Sequence, residues 1–335
     1  MSSPIRLAII GAGLFAQEAH LPALLALGDT FEIVAVHSRT RAKAAALAAQ
    51  VSPPAAAYDD LDALLAQNDI EAVDLVLPIQ IMPGVLKQAL AAGKHVISEK
   101  PAAPDVATGR DLLAFYAKYP DQVWMVAENW RYEAAPLRAA EIVQSGEIGQ
   151  PLVCHWALHT DMSPSNRYYH TPWRRESAFP GGYLLDGGVH HIAGLRLILG
   201  EIAEVSAVVK QIRPDLPPAD TLSAALVFDS GVTGVYGVTY AHESPWPPML
   251  HIVGDAGTLR VQPGEIEITT ASSVCRTERS DRTGVEHELA AFAAAIREGT
   301  PHRNSPEQGI QDVAVIEAIL RSSETGRREK VAQIG

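Results

Sequence analysis

Cysteine is almost missing from this sequence: Cys154 and Cys275 are the two present, and neither lies in a CxxC or Cys/His spacing. A disulfide framework and a structural zinc site are thereby excluded as organising devices, and a reducing compartment is expected. Long apolar runs are missing too, since no stretch reaches the roughly 20 residues of a membrane-spanning helix. Residues 1–6 enter a strand-like run without the charged and apolar regions of a cleavable leader, so the expected location is the cytoplasm. Basic clusters are also lacking. The formal charge of −12 repels a phosphate backbone and no basic run interleaved with aromatics makes a local exception, which argues against nucleic acid as a partner.

What is present is ordinary globular composition, 47% apolar and 20% charged, with glycine and proline scattered and no internal repeat. A chain of 335 residues exceeds what one core usually holds, so two domains are expected. From the start, a strand (5–10), a glycine turn, a helix (14–27), a strand (31–36) and a helix (39–50) complete one βαβ unit. Helices at 59–67, 82–92 and 106–119 then alternate with strands at 72–77, 95–98 and 123–127. That alternation predicts an α/β, doubly wound parallel sheet. Beyond residues 128–131 the pattern changes to a helix (134–144), a strand (151–158), a polar loop (159–180) and a helix (183–199). Strands at 204–211, 221–228, 234–240, 249–254 and 258–262, joined by short turns, predict a mostly antiparallel sheet. Helices at 284–298 and 305–323 close the chain, one of them expected to pack back on the first domain. The expected division is a Rossmann domain, 1–128, and an α+β domain, 129–335.

Three places carry chemistry. Gly11-Ala12-Gly13-Leu14-Phe15-Ala16 is G-x-G-x-x-A, weak as a string but preceded by a strand and opening a helix, the setting of a dinucleotide site. Gly11 permits the turn, Gly13 lets a pyrophosphate approach, Ala16 allows close helix–strand packing, and the helix N-terminus with Leu14 and Phe15 faces the phosphates. At the end of the second strand, His37-Ser38-Arg39-Thr40 has no carboxylate for a ribose hydroxyl pair. Ser38, Arg39 and Thr40 suit a 2′-phosphate, which favours NADP, with NAD as the alternative should Arg39 merely be solvated.

Ser98-Glu99-Lys100-Pro101 follows a strand at the carboxyl edge of the expected sheet, where ligands of such folds bind. A lysine there suits proton transfer or alkoxide stabilisation, although taken alone it is more often a surface residue. Gly181-Gly182-Tyr183-Leu184-Leu185-Asp186-Gly187-Gly188-Val189-His190-His191 sets Asp186 and His190 four apart on one helix face. They read either as an acid–base pair or as a buried histidine satisfied by a carboxylate. His191, about 100° round the helix, is expected to be structural.

Together these residues resemble the glucose-fructose oxidoreductase/inositol dehydrogenase (Gfo/Idh/MocA) family. The likeness runs from the glycine turn through Ala92-Gly93-Lys94-His95-Val96-Ile97-Ser98-Glu99-Lys100-Pro101, Glu128-Asn129-Trp130-Arg131-Tyr132 and Trp173-Arg174 to His190. It implies a large open sheet used for dimer or tetramer contacts, and a substrate cleft between the domains. It further implies Lys100, Asp186 and His190 as the catalytic set, Glu99 near the nicotinamide ribose, and Arg131, Trp173 and Arg174 near the substrate. The activity implied is hydride transfer between nicotinamide and a carbinol or carbonyl carbon of a sugar, polyol or related compound. Alternatives with the same architecture are a non-catalytic cofactor-binding regulator and a redox-assisted glycoside hydrolase. The family's usual T-P-N-x-x-H is replaced here by Leu77-Pro78-Ile79-Gln80-Ile81-Met82. Backbone contacts from Leu77 and Pro78 are retained in that expectation, and the Asn and His contacts are not.

Overall fold

A computed structural model describes residues 3–175, 179–245 and 249–335; residues 176–178 of the expected polar loop lie outside the described residues. The chain forms two compact units, Met1–Asn129 with Gly284–Ile310, and Trp130–Thr283 with Gln311–Gly335.

In the first unit, strands buried on both faces are written as nearly continuous apolar runs, the signature of a parallel sheet covered on both sides. They are β1 (Ile5–Ile10), β2 (Phe31–His37), β3 (Ala56–Tyr58), β4 (Ala72–Leu75), β5 (His95–Glu99) and β6 (Trp124–Ala127). Their order is β3-β2-β1-β4-β5-β6, every pair parallel. This is the expected doubly wound topology, and its strand order reverses between β1 and β4, where such sheets open a crevice at their carboxyl ends. The three-residue β3 is an addition to the expected pattern. Helix Gly284–Glu298, from far along the sequence, packs against β6 and against helix Leu21–Ala26 in this unit.

The second unit is built on nine strands: β7 (Pro151–His159), β8 (Ile202–Lys210), β9 (Thr221–Phe228), β10 (Thr233–Thr239), β11 (Met249–Gly254), β12 (Gly257–Gln262), β13 (Glu265–Thr270), β14 (Ser273–Arg279) and β15 (Glu329–Lys330). The order is β14-β13-β12-β11-β7-β10-β9-β8-β15, antiparallel except for the β7·β10 pair. Strands β13 and β14 were not expected: Glu265, Glu267 and Thr269 alternate with the isoleucines of β13, and β14 sets Glu278 and Arg276 opposite Ile266 and Ile268. The inward Ile266 and Ile268 are nevertheless buried, as a half-buried edge requires. The polar loop also holds short helical turns, Arg167–His170 and Pro172–Arg175. The expected helix over 183–199 is two pieces, Tyr183–Asp186 and Gly188–Leu199. Among the described residues no helix is long and apolar enough to cross a membrane.

One buried ionic knot fixes the core of this unit. Asp312, 1% exposed, receives two bonds from Arg131 Nη2 at 2.8 and 2.7 Å and one from Arg196 Nη1 at 2.5 Å. Removing a carboxylate that neutralises two buried guanidinium groups leaves uncompensated charge. Asp312→Ala is expected to lower unfolding free energy by about 3–5 kcal/mol in urea titration. A loss below about 1 kcal/mol, the size of an exposed ion pair, would contradict this account of the core.

Candidate active site

The turn after β1 is shaped by the strand beside it. Gly11 has φ +116°, and a Cβ there would collide with the carbonyl of Val76, just beyond β4. Its N–H donates to the His37 carbonyl at 2.9 Å, tying the turn to the end of β2. Beside it, a Cβ on Gly13 would meet nothing within 4 Å, so this backbone borders open space at a helix start. Those are the two conditions a pyrophosphate needs: a sharp turn and unshielded N–H groups. Ala16 is fully buried, whereas Leu14 is 37% exposed. The helix then passes through a π-helical turn, Ala16–His20, before continuing as Leu21–Ala26.

At the end of β2, Ser38 Oγ accepts from the Thr40 N–H at 3.4 Å, Arg39 is exposed, and Thr40 precedes helix Arg41–Ala48. Asp59, in the loop after β3, is engaged by Arg41 at 3.0 Å. After β4, Leu77 and Pro78 are half-buried. Ile79 and Met82, standing where the resembled family has Asn and His, are each 1% exposed. They serve the core.

Glu99, at the end of β5, is not a loose carboxylate. His20 Nε2 lies 2.8 Å from its Oε1, and His20 Nδ1 lies 2.8 Å from Asp74 Oδ2. His20 and Asp74 are fully buried and Glu99 is 7% exposed. The carboxylates hold the His20 imidazole well above the usual histidine range against the opposing effect of burial. Glu288 joins from helix Gly284–Glu298; burial first, then Glu99, Glu128 and Asp74, push its carboxyl well above the carboxylate range. Lys100, next to Glu99, is half-buried. Sequence reading passed over His20. The available signal was a histidine on the buried face of the helix that opens from the glycine turn.

In the second unit, Asp186 is 7% exposed and accepts from Arg174 Nε at 2.7 Å. Arg174 in turn lies over the Trp173 ring at 4.1 Å and over Tyr168 at 5.2 Å. Gly187 is required by a close approach, since a Cβ there would collide with the Tyr240 hydroxyl. His190 is half-buried and stacks on Trp130, centroids 5.7 Å apart and planes at 18°. Asp186 and His190 are thus presented by consecutive helical pieces, one braced by an arginine and the other by an indole face. His191 behaves as a structural residue, 5% exposed with Nδ1 2.9 Å from the Tyr236 hydroxyl. Tyr183 is buried with its hydroxyl lacking a hydrogen-bond partner among the described residues, and burial pushes it up to about 12. Arg131, expected near the substrate, is 4% exposed and held by Asp312. Its Nη2 makes both of these bonds, while its Nη1 has no hydrogen-bond partner among the described residues.

The comparisons with known proteins agree with this architecture. Residues 5–127 match the family model described as "Oxidoreductase family, NAD-binding Rossmann fold", and 140–332 match "Oxidoreductase family, C-terminal alpha/beta domain". The chain is 34% identical to the dehydrogenase FPY6 of Fusarium mangiferae, over 95% of this chain and 96% of that protein. It is 28% identical to D-xylose 1-dehydrogenase (NADP(+)) 2 of Haloferax volcanii, over 95% and 97% of the two chains. Among solved structures, an oxidoreductase from Thermotoga maritima superposes with TM-score 0.92 and 38% identity, covering 98% of each chain.

The buried carboxyl of Glu288 sets a pH dependence. Its folded pKa is raised above the unfolded value, so the stability it contributes is present in acid and lost as pH rises through the folded pKa. Glu288→Gln is therefore expected to flatten the fall in Tm as pH rises above the ordinary carboxylate range. A variant whose Tm declines with pH as steeply as the wild type would show that Glu288 is not the group losing its proton.

Proposed function

Because the chain belongs to the Gfo/Idh/MocA oxidoreductase family, we propose that it interconverts a carbinol and a carbonyl carbon of a sugar, polyol or related hydroxy compound, with NADP preferred over NAD. The observation that carries this reading is the turn at Gly11, contoured by the Val76 carbonyl, beside the open space at Gly13. The turn would hold the pyrophosphate through Gly11, Gly13, Leu14, Phe15 and Ala16; Leu77, Pro78 and Glu99 would line the rest of the dinucleotide. Ser38, the exposed Arg39 and Thr40 support NADP, with Asp59 occupied by Arg41. The name of the Haloferax volcanii relative points the same way for both sugar and cofactor.

When bound, the nicotinamide accepts or gives hydride at its C4. The chain's own groups manage the proton and the developing charge. His190, its ring plane set by Trp130, takes the hydroxyl proton, and Lys100 donates from Nζ to the oxygen as it gains alkoxide character. Asp186, braced by Arg174, accepts from a substrate hydroxyl. Trp173 and Arg174 supply an aromatic face and a cation for the remainder of the substrate. A homodimer or homotetramer would form through the outward face of the nine-stranded sheet, where Val208 and Val235 are 58% and 49% exposed.

Fluorescence titration with NADPH and NADH, followed by a spectrophotometric screen of sugars and polyols, tests the reading. Lys100→Met is expected to lower kcat by about 100-fold or more while the cofactor Kd stays within about twofold; unchanged turnover would remove Lys100 from the chemistry. Arg39→Asp is expected to weaken NADPH by about tenfold or more and leave NADH unaffected, as the loss of one charged contact implies. Equal effects on the two cofactors would remove Arg39 from the discrimination.

A further inference from the structure

We infer that His20 is a positioning residue for the nicotinamide half of the dinucleotide, acting through the Glu99 carboxylate that it holds at the end of β5. The inference rests on the proposed cofactor reading and goes beyond it by assigning a residue outside the glycine turn, the E-K-P bend and the Asp186/His190 pair.

The geometry is unusual for a neutral histidine. Both ring nitrogens lie 2.8 Å from carboxylate oxygens, Nδ1 from Asp74 and Nε2 from Glu99. A neutral imidazole has one N–H, and its other nitrogen would face a carboxylate lone pair to lone pair. Two N–H donors on a cation satisfy both contacts at once. Asp74 gives the same answer from its own side: it is fully buried, and its Oδ1 has no hydrogen-bond partner among the described residues. A carboxylate so placed needs a counter-charge, which His20 supplies.

Phe15, from the turn, meets the imidazole edge-on at 5.3 Å; β4 brings Asp74, β5 brings Glu99, and helix Gly284–Glu298 brings Glu288. Glu128, after β6, adds to the negative surroundings of Glu288. Asn304 Nδ2 donates to the Glu128 carbonyl at 3.0 Å, closing that side. His20 therefore sits one helical turn beyond Ala16 and clamps the residue immediately before Lys100. Its grip on one Glu99 oxygen orients the other toward a ribose hydroxyl. The same grip ties the pyrophosphate turn to the E-K-P bend.

The test is calorimetric titration of the full-length chain and of His20→Gln, Glu99→Gln and the double variant. Two probes are used: NADPH or NADH, whichever the wild type binds more tightly, and the matching adenosine fragment, adenosine 2′,5′-bisphosphate or AMP. His20→Gln is expected to weaken the dinucleotide by about tenfold, as the loss of a charge-assisted hydrogen bond implies, and to leave the fragment within about twofold. Glu99→Gln should do the same, and the double variant should bind no worse than the weaker single, because both act through one contact. Equal weakening of dinucleotide and fragment, no weakening, or additive losses would each overturn the inference. Wild-type chain that binds neither probe would overturn the cofactor reading and this inference with it. Independently of whether the variants fold, nitrogen-15 spectra of histidine-labelled wild type should show one buried ring with both nitrogens protonated at about pH 8, above the ordinary histidine pKa; a neutral His20 ring would equally overturn it.

Discussion

The passage of Gly11 under the carbonyl of Val76 is the constraint from which the first unit's site develops. β1 and β4 are neighbours in the sheet although two strands intervene in sequence. At their carboxyl ends the chain leaving β1 must turn beneath the chain leaving β4. Only a residue without Cβ passes there, and the positive φ it adopts swings the following N–H groups toward open space at Gly13. The helix that starts there carries His20 down between β4 and β5, where it meets Asp74 and Glu99. A steric requirement at one residue thus sets the turn that borders open space above and the buried ionic contact below.

Both units hold buried charge, and they do so differently. In the second, Asp312 is shared by Arg131 and Arg196, so two cations are met by one anion plus Glu201, which takes Arg196 at 2.8 and 2.7 Å. In the first, one imidazole meets two carboxyl groups, and burial with the neighbouring carboxyls pushes Glu288 well above the carboxylate range. The first arrangement is a structural rivet. The His20 cluster holds Glu99, the residue immediately before Lys100.

How much of this the sequence could show depended on the range of the interaction involved. The parallel sheet was legible because its central strands are short, mostly apolar runs bounded by helical patterns. The antiparallel sheet was legible where turns such as Asp229-Ser230-Gly231 interrupt alternating strands. β13 and β14 escaped because charged outward residues dilute the alternation, and β3 and β15 because two or three residues carry no period. The burial of Arg131 was hidden for a different reason: its partner, Asp312, is 181 positions away. His20 was missed likewise, since its carboxylates lie 54 and 79 positions on. Local pattern cannot report a pairing that only the assembled sheet creates, and buried ionic contacts are mostly of that kind.

The most direct test of the central claim is a crystal structure of the chain with NADPH. The account predicts the pyrophosphate on the backbone N–H groups of residues 13–16, the 2′-phosphate at Arg39, and a nicotinamide ribose hydroxyl bonded to the Glu99 oxygen that His20 leaves available. A dinucleotide bound elsewhere, or one whose nicotinamide ribose makes no contact with Glu99, would contradict it.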